Sequence, residues 1–308
     1  MPQALTKNLK WVGLLLAIVG LIFFVREVSL HVGIADLGAA ITAYRETIFI
    51  ALLGYIAAFI PMVAAWHIIQ RACGGTFGAV QSARIFLISQ FAKYLPGNVG
   101  HLIGRVVLAK AAGMPAKTAT AALLLENVGV LIAASALIAI ALAAGFVNFT
   151  NAPWLIAAGL GMAILGCAAA LFLLSRDKNR PKLRIAPLGQ AIVLFSILFG
   201  LIVSVQLILL LNVGYETPNF SLIALISSAV LVSWLAGFVT PGAPAGIGIR
   251  EASLVALLYG VLPESQVLIA AAAMRIVTML GDAIMWAIGL AIGREQRTLA
   301  AELTVNQP

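Results

Sequence analysis

Apolar runs, each long enough or nearly long enough to cross a bilayer, alternate with short polar loops along the chain. Clear runs lie near 11–25, 47–70, 119–146, 153–175, 190–213 and 266–292. A helix needs roughly 20 apolar residues to cross the hydrocarbon core. These runs are continuous and do not alternate residue by residue, so they predict helical spans and disfavour a transmembrane barrel. Two further stretches, 79–112 and 221–262, are also apolar but are interrupted at KYLPGNVGHLIGR (93–105) and TPGAPAGIGIRE (240–251). Proline removes a backbone donor and clusters of glycine weaken a helix, so neither stretch is predicted to form one continuous helix. The first run follows Lys7 and Lys10 as a signal peptide would, yet no small-x-small cleavage site precedes Arg26. It reads as an uncleaved anchor.

Composition supports the membrane reading. The chain is 62% hydrophobic and 10% charged, with a mean hydropathy of +1.08, whereas soluble domains carry roughly 25% charged residues. The net charge of +8 predicts no nucleic-acid partner, because the basic residues gather in loops where they set orientation. Lys7 and Lys10, the basic loop at 175–184, and Arg294 with Arg297 all read as cytoplasmic, which puts both termini on that side. Six full crossings satisfy this arrangement if the two broken stretches are re-entrant hairpins, the first entering from the cytoplasm and the second from outside. Eight full spans keep the same loops inside. Cys73 and Cys167 make no framework, and His31, His67 and His101 have no metal-ligand spacing. No metal and no cofactor are expected.

An internal repeat links the two breaks. Pro96-Gly97 precedes Arg105 as Pro241-Gly242 precedes Arg250, nine residues from proline to arginine in each case. Each arginine leads into a small-residue segment, a proline (Pro115 or Pro263) and a long Ala-rich span carrying one early charge, Glu126 or Arg275. Residues 1–308 therefore read as one polytopic membrane domain. It comprises a first repeat (45–146), a connecting helix (153–175) and a second repeat (190–292) of opposite orientation, as in many transporters.

The breaks carry the candidate chemistry. Irregular backbone inside a bilayer survives where protein or water covers it, so two mid-membrane breaks predict a cavity. After each break the chain restarts as a helix, with Asn98 as an N-cap candidate in the first half, and a helix N-terminus favours an anion. Gly97, Gly100, Gly104, Gly242, Gly246 and Gly248 let backbone approach a ligand, or else let helices pack closely. Arg105 and Arg250 are placed to add charge-assisted bonds to the same anion, and snorkelling to an interface is the alternative. Glu126 and Arg275 lie about 13 Å deep from opposite sides, where pairing across the repeat interface competes with a role in gating or coupling. Asp282 shares a helix face with Arg275, and His101 beside the first break is a helix-helix hydrogen-bonding group or a proton relay. Trp66, Trp154 and Trp234, with Tyr44 and Tyr215, read as interfacial anchors.

FAKYLPGNVGHLIGR and TPGAPAGIGIREASLVALL resemble the two signature regions of the lysylphosphatidylglycerol synthase transmembrane family, across about 45–292. Ala245 stands where that pattern commonly has glycine. The resemblance implies a bacterial or archaeal cytoplasmic membrane and a lipid-handling role. Relatives move aminoacylated phosphatidylglycerol or are linked to hopanoid and polyprenyl-phosphate pathways. No soluble synthase domain accompanies these residues, so aminoacyl transfer is not expected. The expectation is a flippase for an anionic or phosphate-bearing lipid, held by Arg105, Arg250, the break residues and Glu251, and not an enzyme. Two alternatives stand beside it: a non-catalytic subunit of a lipid or hopanoid biosynthesis pathway, and an intramembrane lipid-phosphate enzyme using Glu251. Beyond the lipid substrate, a homodimer and a lipid-biosynthesis enzyme are the partners considered.

Overall fold

The computed structural model describes residues 38–39, 42–94, 99–144, 185–211, 218–240 and 243–305, with isolated helical positions between 157 and 172. The predicted span at 11–25, most of that at 153–175, and Pro96, Gly97, Asn98, Pro241 and Gly242 lie outside these residues, as do Trp154 and Tyr215. Among the described residues the fold is helical, with no strand.

Helices α1 (Arg45–Ala57) and α2 (Phe59–Ala72) form one apolar rod with a break at Ala58. Pro61 lacks the N–H that would bond back to Ala57, which accounts for the break. Next come α3 (Ala79–Gln90), a 3-10 turn (Phe91–Tyr94), α4 (Gly100–Ala111) and the long α5 (Ala116–Ala143). The second half repeats this order, with α6 (Ile185–Leu211) before it. It has α7 (Phe220–Val239), a 3-10 turn (Pro244–Gly246), α8 (Ile249–Leu258) and the long α9 (Glu264–Val305). Pro115 ends the turn into α5, and Pro263 stands immediately before α9, so both long helices start where proline is best tolerated.

Among the described residues, five helical segments are long and apolar enough to span a membrane: Arg45–Ala72, Ala116–Ala143, Ala186–Leu211, Phe220–Val239 and Glu264–Ile292. Helices α3 and α4 have 12 residues each, or about 18 Å, well short of the roughly 30 Å hydrocarbon core. They pack against one another as a hairpin. The second broken stretch differs from the sequence expectation in its first limb: α7 alone has 20 residues, because no proline or glycine cluster interrupts it before Thr240.

Helix α6 is the axis of the bundle, packing on α1, α2, α5, α7 and α9. Phe195, Leu198, Phe199 and Leu210 on it are fully buried. Gly129 on α5 makes room for the Phe195 ring, which a Cβ there would meet at 2.9 Å. Polarity is distributed inside out. Large apolar side chains such as Ile60 (72% exposed), Ile103 and Val107 face outward, while Arg105, Glu126, Glu251 and Asp282 are buried. Hydrocarbon around the bundle explains this pattern, since water would reverse it.

Candidate functional site

The two 3-10 turns touch one another, which brings both breaks to one interior cavity of about 170 Å³. Arg105, Arg250, Arg275, Glu126, Glu251 and His101 all line it. The charges predicted from widely separated segments thus share one space. Three ion pairs occur there among the described residues, and the pairing differs from the one read from sequence.

Arg105 on α4 pairs with Glu126 on α5 through Nη1. Its Nε donates to Ser89 Oγ at 3.1 Å and its Nη2 to Gln90 Oε1 at 3.0 Å. The guanidinium is 1% exposed and lies between the rings of Phe86 (3.9 Å) and Trp66 (5.1 Å), where cation–π attraction holds it. Every nitrogen of Arg105 is therefore engaged by protein. Trp66 is fully buried in this stack, which corrects its reading as an interfacial anchor: its ring covers a buried cation.

Arg275 on α9 pairs with Glu251 on α8 through Nε. It also donates to the carbonyls of Ala245 (3.2 Å) and Gly246 (3.3 Å) in the second 3-10 turn. The other oxygen of Glu251 accepts from the Gly248 N–H at 2.7 Å, satisfying a free donor at the start of α8. Glu126 and Arg275 consequently do not pair across the halves. Each half closes its own pair between the helix after the break and the following long helix, and the polarity is exchanged: cation on the short helix in one half, carboxylate in the other.

Asp282 belongs to a third cluster. Its carboxylate meets Lys93 Nζ at 2.7 Å, Tyr55 Oη at 3.0 Å and Tyr94 Oη. Lys93 also donates to Tyr55 Oη at 3.2 Å. Gly281 makes this possible, because a Cβ there would come within 2.5 Å of the Tyr55 ring. Asp282 and Arg275 share a face of α9, as their spacing predicts, but serve different partners.

Arg250 is the exception. Its Nε is buried without a hydrogen-bond partner, and among the described residues no carboxylate pairs with it. Its stem runs through a slot between α7 and the second 3-10 turn. A Cβ on Gly237 would lie 2.4 Å from Arg250 Cγ, and one on Gly246 would lie 2.7 Å from Nε and 3.0 Å from the Gly237 Cα. Here the close-packing reading of glycine holds for Gly246. The guanidinium faces the Trp234 ring at 5.4 Å, and Trp234 stacks on Phe238 at 4.8 Å in the cavity wall. Trp234 is thus a lining residue and not an anchor at the bilayer surface.

Local backbone sets these directions. Val99, not Asn98, occupies the N-cap position of α4, and Gly100 is the first residue of that helix. Ala245, Gly246 and Gly248 have φ of 51°, 70° and 82°, all left-handed. The glycine commonly found at the position of Ala245 in the resembled pattern therefore has a steric reason, since an alanine pays about 1–2 kcal/mol there. Ala245→Gly is expected to stabilise the protein, by up to about 1 kcal/mol once the extra flexibility of glycine in the unfolded chain is offset. A thermal-unfolding midpoint in detergent that fell with this change would rule the strain out.

Several lining residues escaped the sequence reading: Tyr55, Lys93, Tyr94, Gln206 and Trp234. Gln206 carried a visible signal, a lone amide deep in an apolar run. The tyrosines carried none, because tyrosine is common in membrane helices. Among the described residues no group of three His, Cys, Asp or Glu is placed to hold a metal. Cys73 is buried, and burial pushes its thiol up to about 11, so it is no ready nucleophile.

Comparison with known families gives one match: the model for the lysylphosphatidylglycerol synthase TM region fits residues 10–285, a range that contains both breaks and all three ion pairs. No curated protein matches the chain.

Proposed function

The chain belongs to the lysylphosphatidylglycerol synthase transmembrane family, and on that premise we propose that it moves a phosphate-bearing anionic lipid across the cytoplasmic membrane. The observation that carries this reading is the guanidinium of Arg250. It lines the interior cavity where the two breaks meet, its Nε is buried without a hydrogen-bond partner, and no carboxylate among the described residues forms an ion pair with it. An arginine inside a membrane protein costs several kcal/mol unless it pairs or meets water. A lipid phosphate supplies the missing partner, with the N-terminus of α8 beside it.

The remaining charges then act as scaffold. Arg105 and Arg275, with their carboxylates, fasten each short helix to the long helix that follows it. The headgroup enters the polar cavity, the tails stay in the surrounding hydrocarbon, and inverted halves rock about the site. Chemistry on the lipid would need a free base or nucleophile. Both oxygens of Glu251 are already engaged, which favours transport over an intramembrane transferase or phosphatase.

Arg250→Gln is expected to reduce translocation of a labelled anionic phospholipid in proteoliposomes by about a hundredfold or more, the scale for removing a buried charge partner. Its unfolding midpoint should stay near that of the unaltered protein, because no internal carboxylate is orphaned. Translocation at the unaltered rate by the Arg250→Gln protein would overturn the proposal.

A further inference from the structure

Taking that lipid-binding reading as given, we propose that the cavity is built for a headgroup with a single phosphodiester charge and an uncharged, hydroxyl-bearing remainder. The first argument is the charge balance of the described residues. Four cations line the cavity: Lys93, Arg105, Arg250 and Arg275. Three carboxylates answer them: Glu126 with Arg105, Glu251 with Arg275, and Asp282 with Lys93. One positive charge is left, on Arg250. In a low-dielectric interior each uncompensated charge is costly, so the complementary ligand carries one negative charge. A phosphomonoester carries close to two at about pH 8 and would overshoot. An aminoacylated phosphodiester brings an ammonium group, and no carboxylate here is free to receive it. Glu126 is held by Arg105, Glu251 by Arg275 and the Gly248 N–H, and Asp282 by Lys93 and two tyrosines.

The second argument is a set of unpaired neutral atoms. Buried polar atoms nearly always have partners. Gln206 Nε2 and His101 Nδ1 are buried with none, and Gln206 is only 5% exposed. Both residues line the same cavity as Arg250, from α6, α4 and α8 respectively. An amide donor and an imidazole nitrogen on the wall of the cavity that also holds the Arg250 guanidinium match hydroxyls of a phosphate-bearing headgroup: a donor for a hydroxyl oxygen, and a group that gives or takes a proton according to tautomer. A cavity of about 170 Å³ has room for such a group and not merely for one water, which needs on the order of 10–15 Å³. Phosphatidylglycerol and a glycosyl phosphodiester of a long-chain alcohol share this chemistry.

Binding to the purified full chain in phosphatidylcholine nanodiscs at about pH 8 tests it, with native mass spectrometry as the readout. Phosphatidylglycerol or the glycosyl phosphodiester is expected to bind at least about tenfold tighter than phosphatidic acid or lysyl-phosphatidylglycerol, the scale of one charge-assisted bond. Whichever of the two binds tighter identifies the source. Phosphatidylmethanol, which keeps the diester charge but has no hydroxyl, should bind more weakly than either. Gln206→Ala should shrink that preference by about tenfold, and Gln206→Asn should restore part of it. A stronger affinity for phosphatidic acid or lysyl-phosphatidylglycerol, still lost in Arg250→Gln, would overturn the charge inference and leave the transport reading standing. No preference over phosphatidylmethanol would overturn the hydroxyl inference. Binding of every anionic lipid unaffected by Arg250→Gln would instead sink the reading on which both rest.

Discussion

Arg105→Leu is expected to lower the stability of the protein by about 3–5 kcal/mol, the cost of leaving one member of a buried ion pair alone. Glu126 would lose both contacts from Nη1, and Ser89 and Gln90 would lose their donors. The stack between Phe86 and Trp66 would lose its central plane. Leucine fills part of that volume but supplies no hydrogen bond. Removing the carboxylate as well, in Arg105→Leu with Glu126→Leu, should recover most of the loss, because an apolar replacement of the whole pair is often neutral. The two changes are therefore non-additive, with an interaction of about 1–3 kcal/mol. Denaturant titration in detergent measures all three variants. Simple additivity would show that the pair does not hold α4 to α5. The contrast with Arg250→Gln is the diagnostic feature, since one arginine is bonded by protein throughout and the other is not.

Asp282→Asn is the second large effect, and it is read in two ways. The carboxylate is 2% exposed and receives Lys93, Tyr55 and Tyr94. Asparagine keeps the shape but loses the charge, leaving Lys93 without compensation, at a cost of about 3–5 kcal/mol if Lys93 cannot turn away. Lys93 lines the cavity, so part of that cost is relieved by turning toward it. The cavity then carries one more positive charge. Affinity for phosphatidic acid should rise relative to phosphatidylglycerol by about tenfold. Lys93→Met with Asp282→Asn should return the preference to its original order and recover stability. An unchanged lipid preference in Asp282→Asn would show that the ligand does not sense this pair.

The glycines illustrate how far local reading goes. Gly246 was marked for close approach of a ligand or of helices, and it serves the second, giving Arg250 its slot beside Gly237. Gly237 itself lies inside an unremarkable apolar helix, and nothing in its neighbours along the chain announces the arginine that passes it. Ala245 looked like a mild departure from a motif. Only its φ of 51° shows that a left-handed turn is required there. Trp66 and Trp234 looked like bilayer anchors because aromatic residues near span ends usually are. Packing around Arg105 and Arg250 gives them other neighbours.

Membrane residence, helical class, two interrupted stretches and the repeated order of elements were all legible in the amino-acid sequence. Each depends on local properties: the hydropathy of a run, the missing N–H of proline, the positions of basic loops. Which charges neutralise one another was decided by tertiary structure alone. Arg105 and Glu126 are 21 residues apart, Arg275 and Glu251 are 24 apart, and Tyr55 reaches Asp282 across 227. A charge in a membrane interior must find a partner, but several partners satisfy that demand equally well on paper. Helix packing around α6 selected among them, closing one pair in each half and leaving Arg250 without a carboxylate partner among the described residues.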